Sequence, residues 1–152
     1  MSLYLAAGCF WGVQQQIDLL EEILESQTGY ANSATANPTY QQVSTRKNIA
    51  TECVHVQYNR SEKVLFKILY AYFKILGRRI LHQKPLQYKN AIFVITEQDQ
   101  QLVNQVFNQI KLQYQQPLYF ECSLLKNFCL AEDMHQKYYQ KKDMQCLCTE
   151  EK

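Results

Sequence analysis

The sequence predicts an α+β fold, in which helices flank a mixed β-sheet as a split β-α-β (ferredoxin-like) sandwich. Three patterns indicate this class. Residues 51–58 alternate between two faces, which is typical of a β-strand. Residues 64–76 and 102–110 repeat apolar side chains at helical spacing. Residues 91–95, AIFVI, are continuously apolar, as in a central strand that is covered on both faces.

The N-terminal third predicts a strand, a helix and a second strand. Residues 3–7 form a short apolar run that ends at Gly8, and apolar side chains then recur loosely at helical spacing. Cys9 therefore lies where the strand turns into the first turn of the helix. A second strand is expected over residues 23–30, and the loop ANSATANPTY brings Pro38 before a short helix.

The rest of the chain continues this alternation. Glu52 shares the apolar face of the strand at 51–58. Ser61 and Gly77 are the expected start and stop of the next helix, and Thr96 can cap the one after it. A last strand is expected after Pro117, with apolar side chains at positions 118, 120, 122 and 124.

The C-terminal segment from position 131 is a polar helix candidate that runs into KKDMQCLCTEEK. It lacks an apolar stripe wide enough to hold it in place, so we expect it to be mobile, with a flexible tail over about residues 141–152.

Composition narrows the function classes. The 152 residues, 47% of them hydrophobic, suit a single domain over residues 1–152. The net charge of +2 comes from scattered residues, so no basic stripe indicates nucleic acid or an anionic membrane. No targeting or membrane-spanning segment is expected. Six cysteines in a chain of this size indicate reactive thiols in a reducing compartment, and we expect a cytoplasmic monomer.

Cys9 is the candidate nucleophile. A thiol reacts as its thiolate, and the backbone N–H groups and positive dipole of a helix N-terminus stabilise that form. A free cysteine is more commonly a small buried hydrophobe. However, Phe10 and Trp11 follow directly, and a helix start would place both rings partly in solvent, where they make sense as the walls of a pocket.

Several motifs occur in one order along nearly the whole chain. They are GCFWG at 8–12, GY at 29–30, NPTY at 37–40, Glu52, QY at 87–88 before AIF, and AEDMHQKYY from 131. Together they closely resemble the peptide methionine sulfoxide reductase A family. The resemblance implies a thiol-dependent oxidoreductase that reduces methionine S-sulfoxide, free or in proteins, to methionine.

The resemblance also implies a role for each site residue. Phe10 and Trp11 would form an aromatic cage for the substrate methyl group. Tyr40, Tyr88 and a protonated Glu52 would hold the sulfoxide oxygen. The strand pattern alone leaves open whether Glu52 is a neutral acid or a carboxylate paired with a lysine or arginine.

Two positions depart from the family pattern. Gln83 stands five residues before Tyr88, where relatives usually carry an acidic residue, and it keeps hydrogen bonding while losing the charge. We expect Gln83 to contact substrate. The histidine that often precedes the catalytic acid is also absent, since Ala50 and Thr51 come before Glu52.

The resemblance further implies a disulfide relay. A sulfenic acid on Cys9 would condense with Cys146, and Cys148 could pass the disulfide outward. An external dithiol of the thioredoxin type would reduce it, with no bound cofactor or metal. Two alternatives stay open: a degenerate member that binds methionine or its sulfoxide with little or no turnover, and a general thiol redox protein. Cys53 and Cys122 are expected to be packing residues, with Cys129 a reserve thiol.

Overall fold

The computed structural model describes residues 2–45, 49–59 and 61–142. Its centre is a six-stranded sheet with the strand order β5-β4-β1-β3-β2-β6. The strands are β1 (Ser2–Ala7), β2 (Ile23–Ala31), β3 (Thr51–Tyr58), β4 (Asn90–Val94), β5 (Glu121–Leu124) and β6 (Phe128–Leu130). Only the β4–β5 pair is parallel among the described strand pairs.

The helices begin and end largely where local signals place them. They are α1 (Phe10–Ile17), α2 (Tyr40–Thr45), α3 (Glu62–Leu76), α4 (Glu97–Lys111) and α5 (Tyr138–Lys142). Ser61 caps α3 by accepting from the Val64 amide, and Thr96 caps α4 in the same way from Asp99. Gly77 ends α3 with a φ of 52°. These three boundary predictions are confirmed. Single 3₁₀ turns cover Gly77–Leu81, Leu86–Tyr88 and Asp133–His135.

The connections confirm the split β-α-β arrangement. Strands β1 and β2 are joined through α1 and both pair antiparallel with β3, which lies between them. Strands β3 and β4 are joined through α3 and both pair antiparallel with β1. Each β-α-β unit is thus split by a strand of the other, and this brings the end of β1 next to the beginnings of β3 and β4.

The main core lies on one face of the sheet. Leu5, Val54 and Ile92 from the three central strands pack there with Val13 of α1 and Ile68 of α3. A smaller cluster occupies the opposite face. Its members are Tyr4, Ala6, Ala31, Cys53, Ala91 and Phe93. Within the described residues, no helix has both the length and the apolar character needed to cross a bilayer.

The structure differs from the sequence prediction at the sheet edges. The last predicted strand begins only at Glu121, because its pairing with β4 starts opposite Ala91. Strand β6 was not predicted, since three residues carry no readable period. It pairs with β2 at Gly29, where an added Cβ would lie 2.2 Å from the Phe128 ring. That glycine allows the ring to approach the sheet backbone.

The segment from Ala131 to Gln140 is packed, so its predicted mobility is wrong for these residues. His135 and Tyr139 are buried, and the Lys137 amide donates to Oε1 of the buried Gln14 at 2.6 Å. Single side chains anchor the segment where no apolar stripe exists. Beyond Lys142, the predicted flexible tail, with Cys146 and Cys148, lies outside the described residues.

Candidate active site

Cys9 lies at the N-cap of α1, between the end of β1 and the first helical turn. This position confirms the predicted placement of the thiol at a strand-to-helix turn. Gly8 precedes it with a φ of +91°, a backbone conformation that disfavours any side chain. The turn is also crowded, since a Cβ on Gly8 would lie 2.8 Å from Cζ of Arg79.

Arg79 connects this turn with the second half of the site. Its side chain is buried against Gly8, and its Nη2 donates to the carbonyl oxygen of Tyr88 at 2.7 Å. One guanidinium therefore braces both the backbone before Cys9 and the backbone of Tyr88. Its planar set of donors suits such a bridging position.

Glu52 meets the backbone of Phe10, the residue after Cys9, although Glu52 and Cys9 are 43 positions apart in the sequence. Only 1% of Glu52 is exposed. Its Oε1 accepts from the Phe10 amide at 3.2 Å, and its Oε2 accepts from Nε2 of Gln87 at 2.6 Å. Burial raises the pKa of Glu52 to about 7, and the two hydrogen bonds oppose that rise. A carboxyl group with this pKa can donate a proton near neutral pH.

Tyr40 and Tyr88 complete the cluster. Their hydroxyl groups are hydrogen-bonded to each other. Burial raises the pKa of Tyr88, and the negative charges of Glu52 and Cys9 add to the rise, so these groups lie within electrostatic reach of one another. The structure thus brings together Cys9, Tyr40, Glu52 and Tyr88, four of the six residues predicted to take part in the reaction; the other two, Cys146 and Cys148, lie outside the described residues.

The two predicted cage residues lie in different environments. Phe10 is fully buried, which corrects the expectation that both rings reach solvent. It enters the core because its ring packs against Tyr30 and His135, with centroids 5.7 and 5.5 Å away. Trp11 is partly buried and stacks on Tyr138 with ring centroids 3.9 Å apart.

His135 and Glu132 support these side chains from the C-terminal segment. Nε1 of Trp11 donates to Nδ1 of His135 at 3.0 Å, so Nδ1 carries no proton, and burial lowers the pKa of His135. Glu132 accepts from the Tyr30 hydroxyl at 2.9 Å and from the Tyr40 amide at 3.0 Å. Both residues belong to the motif AEDMHQKYY, but no sequence pattern predicted a role for either.

Gln83 lies away from the contacts around Glu52. It is exposed, in the loop between two 3₁₀ turns, and lines a cavity of about 370 Å³. Lys84, Lys89, Asn90 and residues 118–121 form the rest of that lining. Gln87, four positions further along, makes the contact with the acid instead. Gln87 belongs to the QY motif at 87–88, and that motif is the only sequence feature that could have indicated its role.

The other described cysteines have distinct surroundings. Cys53 is fully buried on the opposite sheet face from Glu52, which agrees with the predicted packing role. Burial raises the pKa of Cys122 to about 12, and this disfavours its reactive thiolate. Cys129 is partly exposed on β6, paired across the sheet with Tyr30.

Comparisons with known proteins point to one family. The family model described as peptide methionine sulfoxide reductase matches residues 1–152. Peptide methionine sulfoxide reductase MsrA of Mycoplasma pneumoniae is 34% identical over 143 residues, with 91% of each chain covered. MsrA of Lachnoclostridium phytofermentans is 33% identical over 144 residues, covering 92% of this chain and 87% of the relative.

Solved structures show the same fold. Reduced Mxr1 from Saccharomyces cerevisiae superimposes with a TM-score of 0.84 at 22% identity, covering 99% of this chain and 91% of Mxr1. Methionine sulfoxide reductase A of Corynebacterium diphtheriae gives a TM-score of 0.73 at 23% identity, covering 93% of this chain and 74% of that one. The family model and the sequence relatives span most of the chain. This chain therefore belongs to the peptide methionine sulfoxide reductase family.

Proposed function

We propose that this chain reduces methionine S-sulfoxide, free or within proteins, to methionine by transferring the sulfoxide oxygen to Cys9. The observation that carries the proposal is the position of Glu52. Its carboxyl group is buried, has a pKa of about 7, and accepts a hydrogen bond from the amide of the residue that follows Cys9. A nucleophile and a proton donor therefore meet at one point.

The first step follows from this pairing. The Cys9 thiolate attacks the sulfoxide sulfur while Glu52 transfers its proton to the sulfoxide oxygen. The oxygen with its proton then passes from the substrate sulfur to the Cys9 sulfur. The sulfur–sulfur bond made in the attack and the substrate's sulfur–oxygen bond break, a sulfur–oxygen bond to Cys9 forms, and methionine leaves a sulfenic acid on Cys9. The substrate sulfur is reduced by two electrons and the Cys9 sulfur is oxidised by two, so the step balances with one proton taken from Glu52.

The neighbouring side chains suit the two ends of the substrate. The hydroxyl groups of Tyr40 and Tyr88 can hydrogen-bond to the sulfoxide oxygen, which gains negative charge as the sulfur is attacked. Trp11 offers an apolar face to the methyl group, and His135 fixes the orientation of that ring through the indole N–H. Phe10 supports this wall from beneath as a core residue. For Gln83, which lines the separate cavity described above, contact with the substrate stays a prediction.

The sulfenic acid must then be reduced. We assign this step to Cys146, whose thiol condenses with it to form a disulfide and water, with Cys148 passing the disulfide on. An external dithiol of the thioredoxin type then restores both thiols. Mxr1 has been solved in complex with Trx2, and that complex matches this chain with a TM-score of 0.59 at 20% identity, covering 91% of this chain and 84% of Mxr1. The relay needs no bound cofactor and suits a reducing compartment such as the cytoplasm.

A stereo-resolved assay tests the proposal. Both epimers of a blocked methionine sulfoxide are incubated with dithiothreitol and the wild type, Cys9→Ser or Glu52→Gln. We expect turnover of the S epimer alone, no product with Cys9→Ser, and a loss of 10²-fold or more with Glu52→Gln. Binding without turnover by the wild type would show a degenerate member. Equal reduction of both epimers would point to a general thiol redox protein.

A further inference from the structure

Gln87 makes the shortest described hydrogen bond to the catalytic acid. It lies in the 3₁₀ turn Leu86–Tyr88, directly before Tyr88, and its Nε2 donates to Oε2 of Glu52 at 2.6 Å. The other oxygen, Oε1, accepts from the Phe10 amide at the longer distance of 3.2 Å. The two oxygens of the acid thus have different partners, and the Oε1 partner belongs to the residue next to Cys9.

These unequal partners have a consequence for the protonated acid. A neutral carboxyl group has one carbonyl oxygen, which is the better acceptor, and one hydroxyl oxygen, which carries the proton. The shorter hydrogen bond favours the carbonyl form at Oε2, and the proton then resides on Oε1. We propose that Gln87 is a positioning residue that makes Oε2 the acceptor and Oε1 the oxygen that delivers the proton on the Cys9 side.

The same contact stabilises the product of proton transfer. When the O–H bond at Oε1 breaks and a new O–H bond forms on the sulfoxide oxygen, Glu52 becomes a carboxylate. Gln87 donates to that carboxylate without moving, and hydrogen bonds to a charged acceptor are stronger than those to a neutral one. Gln87 therefore opposes the rise in pKa that burial imposes on Glu52. This inference rests on the proposed function, because it assigns the geometry of its acid.

The other groups around Glu52 do not provide this hydrogen bond. The titratable or charged groups nearby are Cys9 before α1, Tyr30 on β2, Tyr40 on α2, Cys53 on β3, Tyr88 and Arg79 in the 77–88 segment, and Glu132 and His135 beyond β6. Burial raises the pKa of Tyr30, Cys53 and Tyr88, so these three stay neutral while Glu52 titrates. Cys9 is unchanged in every Gln87 variant, so its effect on Glu52 is common to all of them.

The test is the pH profile of kcat/KM for blocked methionine S-sulfoxide. Activity falls as the pH rises through the pKa of Glu52. A variant that raises this pKa therefore moves the alkaline limb of the pH profile to higher pH. Gln87→Met removes the donor at similar length, and we expect the limb to move up by about one pH unit. Gln87→Glu adds a second carboxyl group, and its limb should lie higher still. Gln101→Met, at an exposed glutamine of α4, should leave the limb in place.

The location of the proton on Oε1 of Glu52 can be tested separately from the pKa of Glu52, through kcat at a single pH. At pH 6 the acid is largely protonated in every variant, and there we expect Gln87→Met to lower kcat about tenfold with little change in KM, because the proton no longer resides mainly on Oε1. An unchanged limb in both Gln87 variants, or a limb that moves downward, overturns the inference. A loss of kcat at every pH without a shift would leave Gln87 as a packing residue and overturn it equally.

A spectroscopic titration separates this inference from the proposed function. The δ-carbon of Glu52 can be followed by ¹³C NMR in glutamate-labelled protein, with its signal assigned by its absence from Glu52→Gln. A shift of the Glu52 titration midpoint to higher pH in Gln87→Met supports the inference, even if the protein does not reduce sulfoxides. An unchanged midpoint refutes the inference, even if sulfoxide reduction is fast. Gln87 is half-buried in a one-turn segment, and Gln87→Leu, which also removes the donor without adding a charge, gives the same comparison if Gln87→Met folds poorly.

Discussion

Replacing Glu52 with Gln should make the protein more stable at alkaline pH while it abolishes most activity. Burial raises the pKa of Glu52 from its usual 4.5 to about 7. The folded state therefore binds the proton more tightly than the unfolded state does. As the pH rises from 4.5 towards 7, the unfolded chain ionises first, and the free energy of unfolding falls. A neutral glutamine does not ionise, so Glu52→Gln escapes this loss.

The magnitude follows from the two pKa values. Each pKa unit corresponds to about 1.4 kcal/mol, so the wild type loses about 3 kcal/mol of stability between pH 4 and pH 8 through this group. The substituted amide can accept from the Phe10 N–H and donate to a rotated Gln87 amide, which keeps both hydrogen bonds. We therefore expect nearly equal stability at pH 4 and a gain of about 2–3 kcal/mol for Glu52→Gln at pH 8.

Urea denaturation at pH 4, 6 and 8 measures the difference directly. The gain at pH 8 corresponds to a rise in Tm of roughly 5–10 °C for a chain of this size. Glu21→Gln, at an exposed glutamate, is the matched control for the loss of a carboxyl group and should change the free energy of unfolding little. A stability difference for Glu52→Gln that stays constant from pH 4 to pH 8 would refute a buried acid with a raised pKa.

Three further predictions concern the pocket, the turn and the relay. Trp11→Ala should raise KM for methionine sulfoxide at least tenfold in steady-state kinetics, because the substrate methyl group loses its apolar wall. The rate of Cys9 oxidation by peroxide should stay unchanged. A KM equal to that of the wild type would show that Trp11 is not part of the pocket. Gly8→Ala should lower the free energy of unfolding by roughly 2–4 kcal/mol in urea titrations, because the strain of a positive φ and the close contact with Arg79 both destabilise the folded state. Gly77→Ala, which has a positive φ but open space around it, should lower the free energy of unfolding by less. A larger loss for Gly77→Ala than for Gly8→Ala would contradict this explanation. Cys146→Ser should release one equivalent of methionine in a single-turnover assay and form no further methionine in a multiple-turnover assay with thioredoxin. Sustained turnover by this variant would exclude Cys146 as the resolving residue.

Local signals predicted most of the fold. The alternation at 51–58 and the stripe of α3 are periodic over many residues, and Ser61, Thr96 and Gly77 mark helix ends through bonds to their immediate neighbours. Strand β6 escaped prediction because its three residues are held by pairing with Gly29, far away in the sequence. The packing of residues 131–140 escaped it because a buried glutamine side chain and a histidine anchor the segment.

The candidate site also contains residues that could be predicted from the sequence and residues that could not. Cys9 could be identified at a helix start, and Glu52 on an apolar strand face, because each position follows from a pattern within a few residues. The interpretation of Phe10 as a solvent-facing wall was wrong, since its burial depends on Tyr30 and His135 from other elements. Gln87 lay inside a quoted motif, yet no feature of the QY pair indicates which side chain it meets.

The amino-acid sequence by itself determined the order of the elements as far as β5, the thiol at the end of the first strand and the carboxyl group on the apolar face of the third. Only the tertiary structure decided that this carboxyl group meets the amide beside Cys9, that Gln87 binds its other oxygen, and that His135 orients Trp11. These contacts join residues 42, 35 and 124 positions apart. Periodicity and capping act over a few residues, whereas contacts over such separations exist only after the strands have paired.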